Sequence, residues 1–391
     1  MNKMRKEVVI IGAVRTPIGE FKGSLKNIKA DQLGSIVIKE VLARSTLKKD
    51  EIDEVIMGQV LTAGAGQNPA RQAAINAGIP ISKPAHIVNQ VCGSGLRAII
   101  SGYQSIKLGE VTNVISGGQE NMSLAPHSIF YRDEKKFLDE KLVDTMMIDG
   151  LTDAFNNYHM GVTAENIAKR FKISRDEQDN FALNSQKKAE SAINKNKFDE
   201  EIVPINQNGV ILNKDEHPRI GLKISDLEKL GTVFQENGSV TPGNSSGIND
   251  GAAALLLTTL EEAKKKSIKP LAKISSWSSV GVDPSLMGLG PIDAIKQAVK
   301  KANWKLDDID LFEINEAFAA QSIAVIHELK INQDKVNVNG GAIALGHPIG
   351  ASGARILVTL IYELIRRNKK KGCASLCIGG GMGIALCIER N

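Results

Sequence analysis

Short apolar runs alternate along this chain with stretches whose apolar positions recur every three or four residues. Segments 8–14, 55–60, 309–314 and 374–378 are rich in Val, Ile and Leu and are bounded by charged residues or glycine, which predicts buried strands. Ile292, Ile295, Val299 and Ala302 recur at helical spacing. Strands and amphipathic helices in alternation define an α/β protein, a sheet layered by helices. Ser174-Arg175-Asp176-Glu177 is a capping box ahead of Phe181, Leu183 and Ala189, which starts a helix there.

The pattern occurs twice. Asp50-Glu51-Ile52-Asp53-Glu54-Val55 answers to Leu306-Asp307-Asp308-Ile309-Asp310-Leu311, with Asp53 and Asp310 257 residues apart. Gly93-Ser94-Gly95-Leu96-Arg97 answers to Ala351-Ser352-Gly353-Ala354-Arg355 at an offset of 258. Val114-Ile115-Ser116-Gly117-Gly118 resembles Leu376-Cys377-Ile378-Gly379-Gly380 at 263, which reads as a small insertion in the second copy. The expected division is a first domain over 1–120 completed by 250–270, an inserted loop domain over 121–249 with helices of its own, and a second domain over 271–391.

Composition narrows the classes. With 391 residues, 42% hydrophobic, 24% charged and 36 glycines, the chain has the make-up of an ordered, turn-rich protein rather than a disordered one. The net charge of +5 comes from lysines scattered along helical segments, and no helix-turn-helix, zinc-finger or aromatic-plus-basic pattern suggests a nucleic-acid partner. Four cysteines, at 92, 373, 377 and 387, are too few for a disulfide framework, and the C-x3-C spacing of Cys373 and Cys377 lacks a second ligand pair for zinc. No apolar stretch reaches membrane-spanning length and no cleavable leader is evident, so the expectation is a cytoplasmic protein without a membrane partner.

The candidate chemistry is dispersed. Cys92 lies in Asn89-Gln90-Val91-Cys92-Gly93-Ser94-Gly95, where a strand-like run meets glycines and then a helix; such a turn exposes a nucleophile, and a helix N-terminus lowers a thiol's pKa from about 8.5. On the turn alone a buried structural cysteine is the favoured reading, and the other segments shift it toward a nucleophile. His347, in Gly346-His347-Pro348, is a base or oxyanion donor that the duplication sets opposite the Cys92 turn. Asn315 follows a strand directly, either at a functional strand end or as a helix cap. Cys377 precedes Gly379-Gly380-Gly381; too little chain follows for a dinucleotide fold, so the glycines suit backbone donation to an oxyanion.

In combination, Asn89–Gly95, Asn315-Glu316-Ala317-Phe318, Gly346-His347-Pro348 and Cys377-Ile378-Gly379-Gly380-Gly381 resemble the thiolase family over essentially the whole length. The resemblance implies a five-layer α-β-α-β-α core of two like domains, usually in a homotetramer built as a dimer of dimers. It implies condensation of two acetyl-CoA to acetoacetyl-CoA and CoA, reversibly, with CoA thioesters as substrates and no permanently bound cofactor or metal. By resemblance Cys92 is the nucleophile, His347 its activator and Cys377 the base. His347 and a water on Asn315 hold the enolate oxygen, and the N–H groups of Cys92 and Gly379 hold the acetyl oxygen. Contacts to CoA carry over to Ser246, Leu151, His159, Met160 and Arg219, with Ala317 and Phe318 in the same motif region and Met287 closing the acyl pocket. Met287 favours a short-chain member. A broad-chain degradative 3-ketoacyl-CoA thiolase, or a non-catalytic acyl-CoA or lipid-binding protein of the same fold, are the alternatives.

Overall fold

A computed structural model describes residues 6–131, 141–207 and 209–390. Its main sheet has ten strands. In spatial order nine are Leu311–Ile314, Lys371–Ile378, Met382–Glu389, Ala272–Gly281, Val8–Arg15, Asn249–Thr259, Val114–Asn121, Glu54–Gly58 and Ala85–Val88, and Gly19–Glu20 pairs beside Asn249–Thr259. Two halves meet at its middle, where Val8–Arg15 touches Ala272–Gly281 through just two residue pairs, Val9 with Lys273 and Ile10 with Ala272.

Strand alternation produces the layering. Val8, Ile10 and Ala13 point into a central core with the helices Ser94–Leu108 and Ser352–Arg366, whereas Val9, Ile11 and Val14 point outward to the helices Ala30–Ala43 and Pro69–Asn76. On the other half, Cys373, Ala385 and Cys387 face the outer helices Gly290–Lys301 and Ala319–Leu329, and Ala374, Leu376 and Ile384 face the central pair. Helix, sheet, helix pair, sheet, helix is the five-layer arrangement. The central helices approach closely because of glycine: a Cβ on Gly353 would lie 2.3 Å from the backbone nitrogen of Leu96, and one on Gly95 2.7 Å from that of Ala354.

The duplication is physical. Asp53 accepts backbone hydrogen bonds from Thr112 and Asn113, and Asp310 does the same from Lys370 and Lys371. The carboxylates Asp53 and Asp310 and the strand residues Glu54 and Leu311 are 257 apart, and their partners, Thr112 with Lys370, Asn113 with Lys371 and Val114 with Gly372, are 258 apart. The 263 offset is therefore corrected: the counterpart of Ile115 is Cys373, not Ile378, and no insertion intervenes. Gly117 and Gly118 had been matched to the wrong glycines. They lie mid-strand, where a Cβ would come within 2.0 Å of the Ala253 oxygen and 2.2 Å of the Gly350 oxygen, whereas Gly379 and Gly380 follow the strand Lys371–Ile378, and Gly380 turns the chain with a φ of 84°.

Strand ends also differ from the hydrophobic runs. The run 55–60 stops pairing at Gly58, which is wedged against the Ser94 backbone, and the strand at 309–314 begins at Leu311 after a short 3-10 turn. The capping box is present, with Ser174 accepting from the Glu177 amide and Glu177 from that of Ser174, and starts the helix Arg175–Asn194.

Arg15 fastens the segment after Val114–Asn121 to the first strand. Fully buried, it donates from Nε to Glu201 Oε1 at 2.6 Å and bidentately to Asp215 at 2.7 and 2.9 Å. Removing one side of a buried charge network strands the rest, so Arg15→Met should lower unfolding free energy by about 3–5 kcal/mol. Urea denaturation followed by circular dichroism measures it; a loss below about 1 kcal/mol would show the network to be dispensable.

Candidate active site

The Cys92 turn is strained as well as sharp. After Ala85–Val88 the chain turns through Val91, a β-branched residue at φ 44°, before the helix Ser94–Leu108 begins. Asn89 Oδ1 accepts from the Val91 amide at 3.0 Å, while Ser94 Oγ accepts from Gln90 at 2.8 Å and donates to the Val91 carbonyl at 2.6 Å. These bonds over-determine the turn. Gly93 is required beneath it, since a Cβ there would meet the Ile378 side chain at 2.5 Å.

Across the cavity, His347 is pinned at two points. Its backbone N–H donates to Asn249 Oδ1 at 2.8 Å, and its Nδ1 lies 2.6 Å from Ser352 Oγ. Ser352 Oγ donates to the Pro348 carbonyl at 2.9 Å, so it accepts from Nδ1–H and leaves the Nε2 lone pair free as a base. Asn315, directly after Leu311–Ile314, points its Nδ2 at that Nε2 from 3.5 Å, a long contact, and its buried Oδ1 has no protein partner among the described residues. It does not cap a helix: the next one starts at Ala319 with Phe318 as N-cap.

Cys377 is the last residue but one of the strand Lys371–Ile378, fully buried against Met160, Met287, Ala317 and Phe318. The Gly379 amide donates to the Cys92 sulfur, and the nearness of Cys92 adds to the rise of the Cys377 thiol. The expected lowering of the Cys92 pKa is not what the structure has. Burial pushes it up to about 11, Glu120 adds to the rise, and the Gly379 and Cys92 amides offset only part of it. Burial likewise raises Cys377 and holds His347 down at about 3. The resting site is therefore thiol and neutral imidazole. Alkylation of Cys92 by iodoacetamide in the free protein should still be rising with pH at about pH 10; a plateau near neutrality would contradict this.

A cavity of about 380 Å³ joins these groups to the surface. Cys92, His347, Gly379, Leu151, His159, Met160, Arg219, Ser246, Met287, Ala317 and Phe318 line it, whereas Cys377 and Asn315 sit behind the wall. Leu151 ends a π-helical turn, Met147–Leu151, and Ser246 is held by its amide on the Ala317 carbonyl. His159 caps the helix Met160–Phe171 by accepting from the Gly161 amide, and its ring stacks on Phe234 at 4.6 Å. Exposed Arg219 sets a positive charge at the rim.

Four contributors were missed from the sequence. Phe234 had no motif around it, and Asn249 is brought in only by the pairing of Asn249–Thr259. Glu120, pushed up to about 8 by burial, accepts from the amides of Val60, Leu61 and Gly350 and so steadies the loop that carries His347. Ser352 was legible in principle, as the counterpart of the Ser94 that braces the other turn.

A mounted cysteine, a tautomer-fixed histidine and a second buried thiol behind one cavity are the groups that acyl transfer through a cysteine requires. Family comparison makes this specific. Residues 8–261 match the thiolase N-terminal domain and residues 268–390 the thiolase C-terminal domain, and the chain belongs to the thiolase family. It is 54% identical to an acetyl-CoA acetyltransferase of Cupriavidus necator, over 98% of this chain and all of that one, and 53% identical to the cytosolic acetyl-CoA acetyltransferase of Mus musculus over both full lengths. Among solved structures it resembles the Bacillus anthracis acetyl-CoA acetyltransferase, with a TM-score of 0.94 and 44% identity over 98% and 99% of the two chains. Human mitochondrial 3-ketoacyl-CoA thiolase in complex with CoA aligns at a TM-score of 0.96 and 41% identity, over 99% of each chain.

Proposed function

We propose that the protein is an acetyl-CoA C-acetyltransferase that condenses two acetyl-CoA to acetoacetyl-CoA and CoA, and reverses that reaction, through an acetyl-Cys92 intermediate. The observation that carries the roles is the convergence of Cys92, His347 and the Gly379 amide on one cavity with Cys377 directly behind it.

The Cys92 proton passes to His347 Nε2 as sulfur attacks the thioester carbonyl, whose oxygen is held by the N–H groups of Cys92 and Gly379. Collapse breaks the carbon–sulfur bond to CoA. The departing thiolate takes the proton of Cys377, which leaves a thiolate there and an imidazolium at His347. A second acetyl-CoA then enters, and the Cys377 thiolate removes its α-proton. The enolate oxygen is met by His347 Nε2–H and a water on Asn315, donors each commonly worth about 3–4 kcal/mol of barrier. The carbanion attacks the acetyl-Cys92 carbonyl and expels its thiolate, which recovers a proton from His347. A water-poor site strengthens each of these charge interactions.

The cavity takes an extended CoA arm, with Ser246, Leu151, His159 and Met160 beside it, Arg219 toward the phosphates and Met287, Ala317 and Phe318 around the acyl end. Met287 is 3% exposed and shortens the acyl end, which supports short-chain specificity over the broad degradative reading. Thiolysis of acetoacetyl-CoA and of a long-chain 3-ketoacyl-CoA separates the two. We expect kcat/KM to favour acetoacetyl-CoA strongly; comparable values would make this a broad-chain thiolase, and no turnover dependent on Cys92 would make it a binding protein.

The division at 121–249, with 250–270 returning to the first half, belongs to the same reading: the pairing of Asn249–Thr259 with Val8–Arg15 and Val114–Asn121 supports it. Exposed Leu124, Phe130 and Leu142, together with the edge strand Ala85–Val88, support assembly into a dimer of dimers. No helix among the described residues is long and apolar enough to cross a membrane, and a cytoplasmic setting accords with the mouse relative named cytosolic.

A further inference from the structure

The two copies differ most tellingly behind the histidine. In the first, Arg97 lies over the Trp277 ring at 5.5 Å, and the strand position facing the central helices is apolar Ile56. In the second, the same two positions are Arg355 and Glu313, both buried, with Nη1 and Oε2 3.7 Å apart. The copy that carries His347, at the position of Asn89 in the other, is also the copy that carries this ion pair.

Stability does not account for it. None of the three guanidinium nitrogens of Arg355 has a hydrogen-bond partner among the described residues, and a buried arginine so placed costs free energy that an apolar pair would not. Position does. Glu313 is two residues before Asn315 and so faces the same way along the strand, while Arg355 lies one helical turn past Ser352, which orders His347 through Nδ1.

We propose that the buried Arg355–Glu313 pair positions the catalytic imidazole: it ties the strand end that carries Asn315 to the helix turn that orders His347, and sets a permanent positive charge behind the ring. This rests on the acetyl-transfer reading and extends it. With Arg355 in place, the resting site stays thiol and neutral imidazole, so that Cys92 does not become a reactive thiolate before substrate arrives. After burial, Arg355 is the second cause that holds His347 at about 3. Other charges around the pair are Arg15, Glu201 and Asp215 facing Arg355, and Glu201, Glu316 and Glu363 facing Glu313. On the cavity side His347 meets Cys92, with Cys377 behind the wall and Glu120, on the strand Val114–Asn121, accepting from Gly350 of the loop that follows.

The test is the pH dependence of Cys92 alkylation by iodoacetamide, read on the Cys92 peptide, beside the pH profile of kcat/KM for acetoacetyl-CoA thiolysis. In Arg355→Met the alkylation rate at neutral pH should rise, about tenfold for each pH unit that His347 gains, and the acid limb of kcat/KM should move to higher pH. Arg355→Lys, which keeps the charge, should retain the wild-type profile. An unshifted profile in folded Arg355→Met, or a shift of equal size in Arg355→Lys, would overturn the proposal. If Arg355→Met does not fold, the double variant Glu313→Leu/Arg355→Met removes both charges without stranding one, and an unshifted profile there overturns it equally. Alkylation needs no turnover, so a wild-type protein without acetoacetyl-CoA thiolysis would sink the acetyl-transfer reading and leave the pair to be judged on its own profile.

Discussion

Replacing Cys92 by serine should lower kcat/KM for acetoacetyl-CoA thiolysis by at least about 10⁴-fold with the fold intact, because in the proposed mechanism nucleophile, base and oxyanion donors act as one unit. The elbow that mounts the residue does not depend on its sulfur: Asn89, Ser94 and Gly93 hold the turn, and Val91 takes the strained φ. Structure should therefore survive, and melting temperature and CoA binding check that it does. The loss arises because a hydroxyl in this half-buried position is much harder to ionise than a thiol, and the neighbouring imidazole, free at Nε2, is itself a weak base there. A variant within tenfold of wild type would mean that Cys92 is not the acyl carrier.

The second large effect is selective. Cys377→Ala should lower condensation and thiolysis by about 10²–10⁴-fold, the range for a positioned general base, yet still form acetyl-enzyme, more slowly, because the departing CoA thiolate then takes its proton from solvent. Cys377 lies behind the cavity wall among Met160, Met287, Ala317 and Phe318, while Cys92 keeps its Gly379 amide and its access to His347. Mixing this variant with acetyl-CoA should release one CoA per site and then stop, which a thiol assay resolves. Steady CoA release at the wild-type rate would remove Cys377 from the chemistry.

Much of the site was legible because its residues sit at junctions of strand, glycine and helix. Cys92 follows a strand and precedes a helix in the chain as in space, and Asn315 follows a strand directly. The duplication was legible where side chains do matched work, as Asp53 and Asp310 do in holding the amides before the next strand. It misled where glycine served two purposes: Gly117 and Gly118 allow backbones to touch, Gly380 and Gly381 turn the chain, and sequence alone does not tell close approach from positive φ.

The direction of the Cys92 pKa was misjudged for a different reason. A helix N-terminus and two amides act locally and can be read from the motif. The desolvation that outweighs them comes from residues remote in the chain, among them Ile349, Met146 and Met122, packed in one cluster with Cys92. The same remoteness hid Asn249 and Glu120, whose contacts with the His347 loop span 98 and 230 residues.

The central claim is that an acetyl group resides on Cys92 between the two half-reactions. Brief incubation with acetyl-CoA, acid quench and peptide mass spectrometry tests it most directly. The account predicts one acetyl group, on the peptide containing Cys92, discharged when free CoA is added before the quench. An unmodified Cys92 in protein that turns over, or an acetyl group on Cys377 instead, would contradict it.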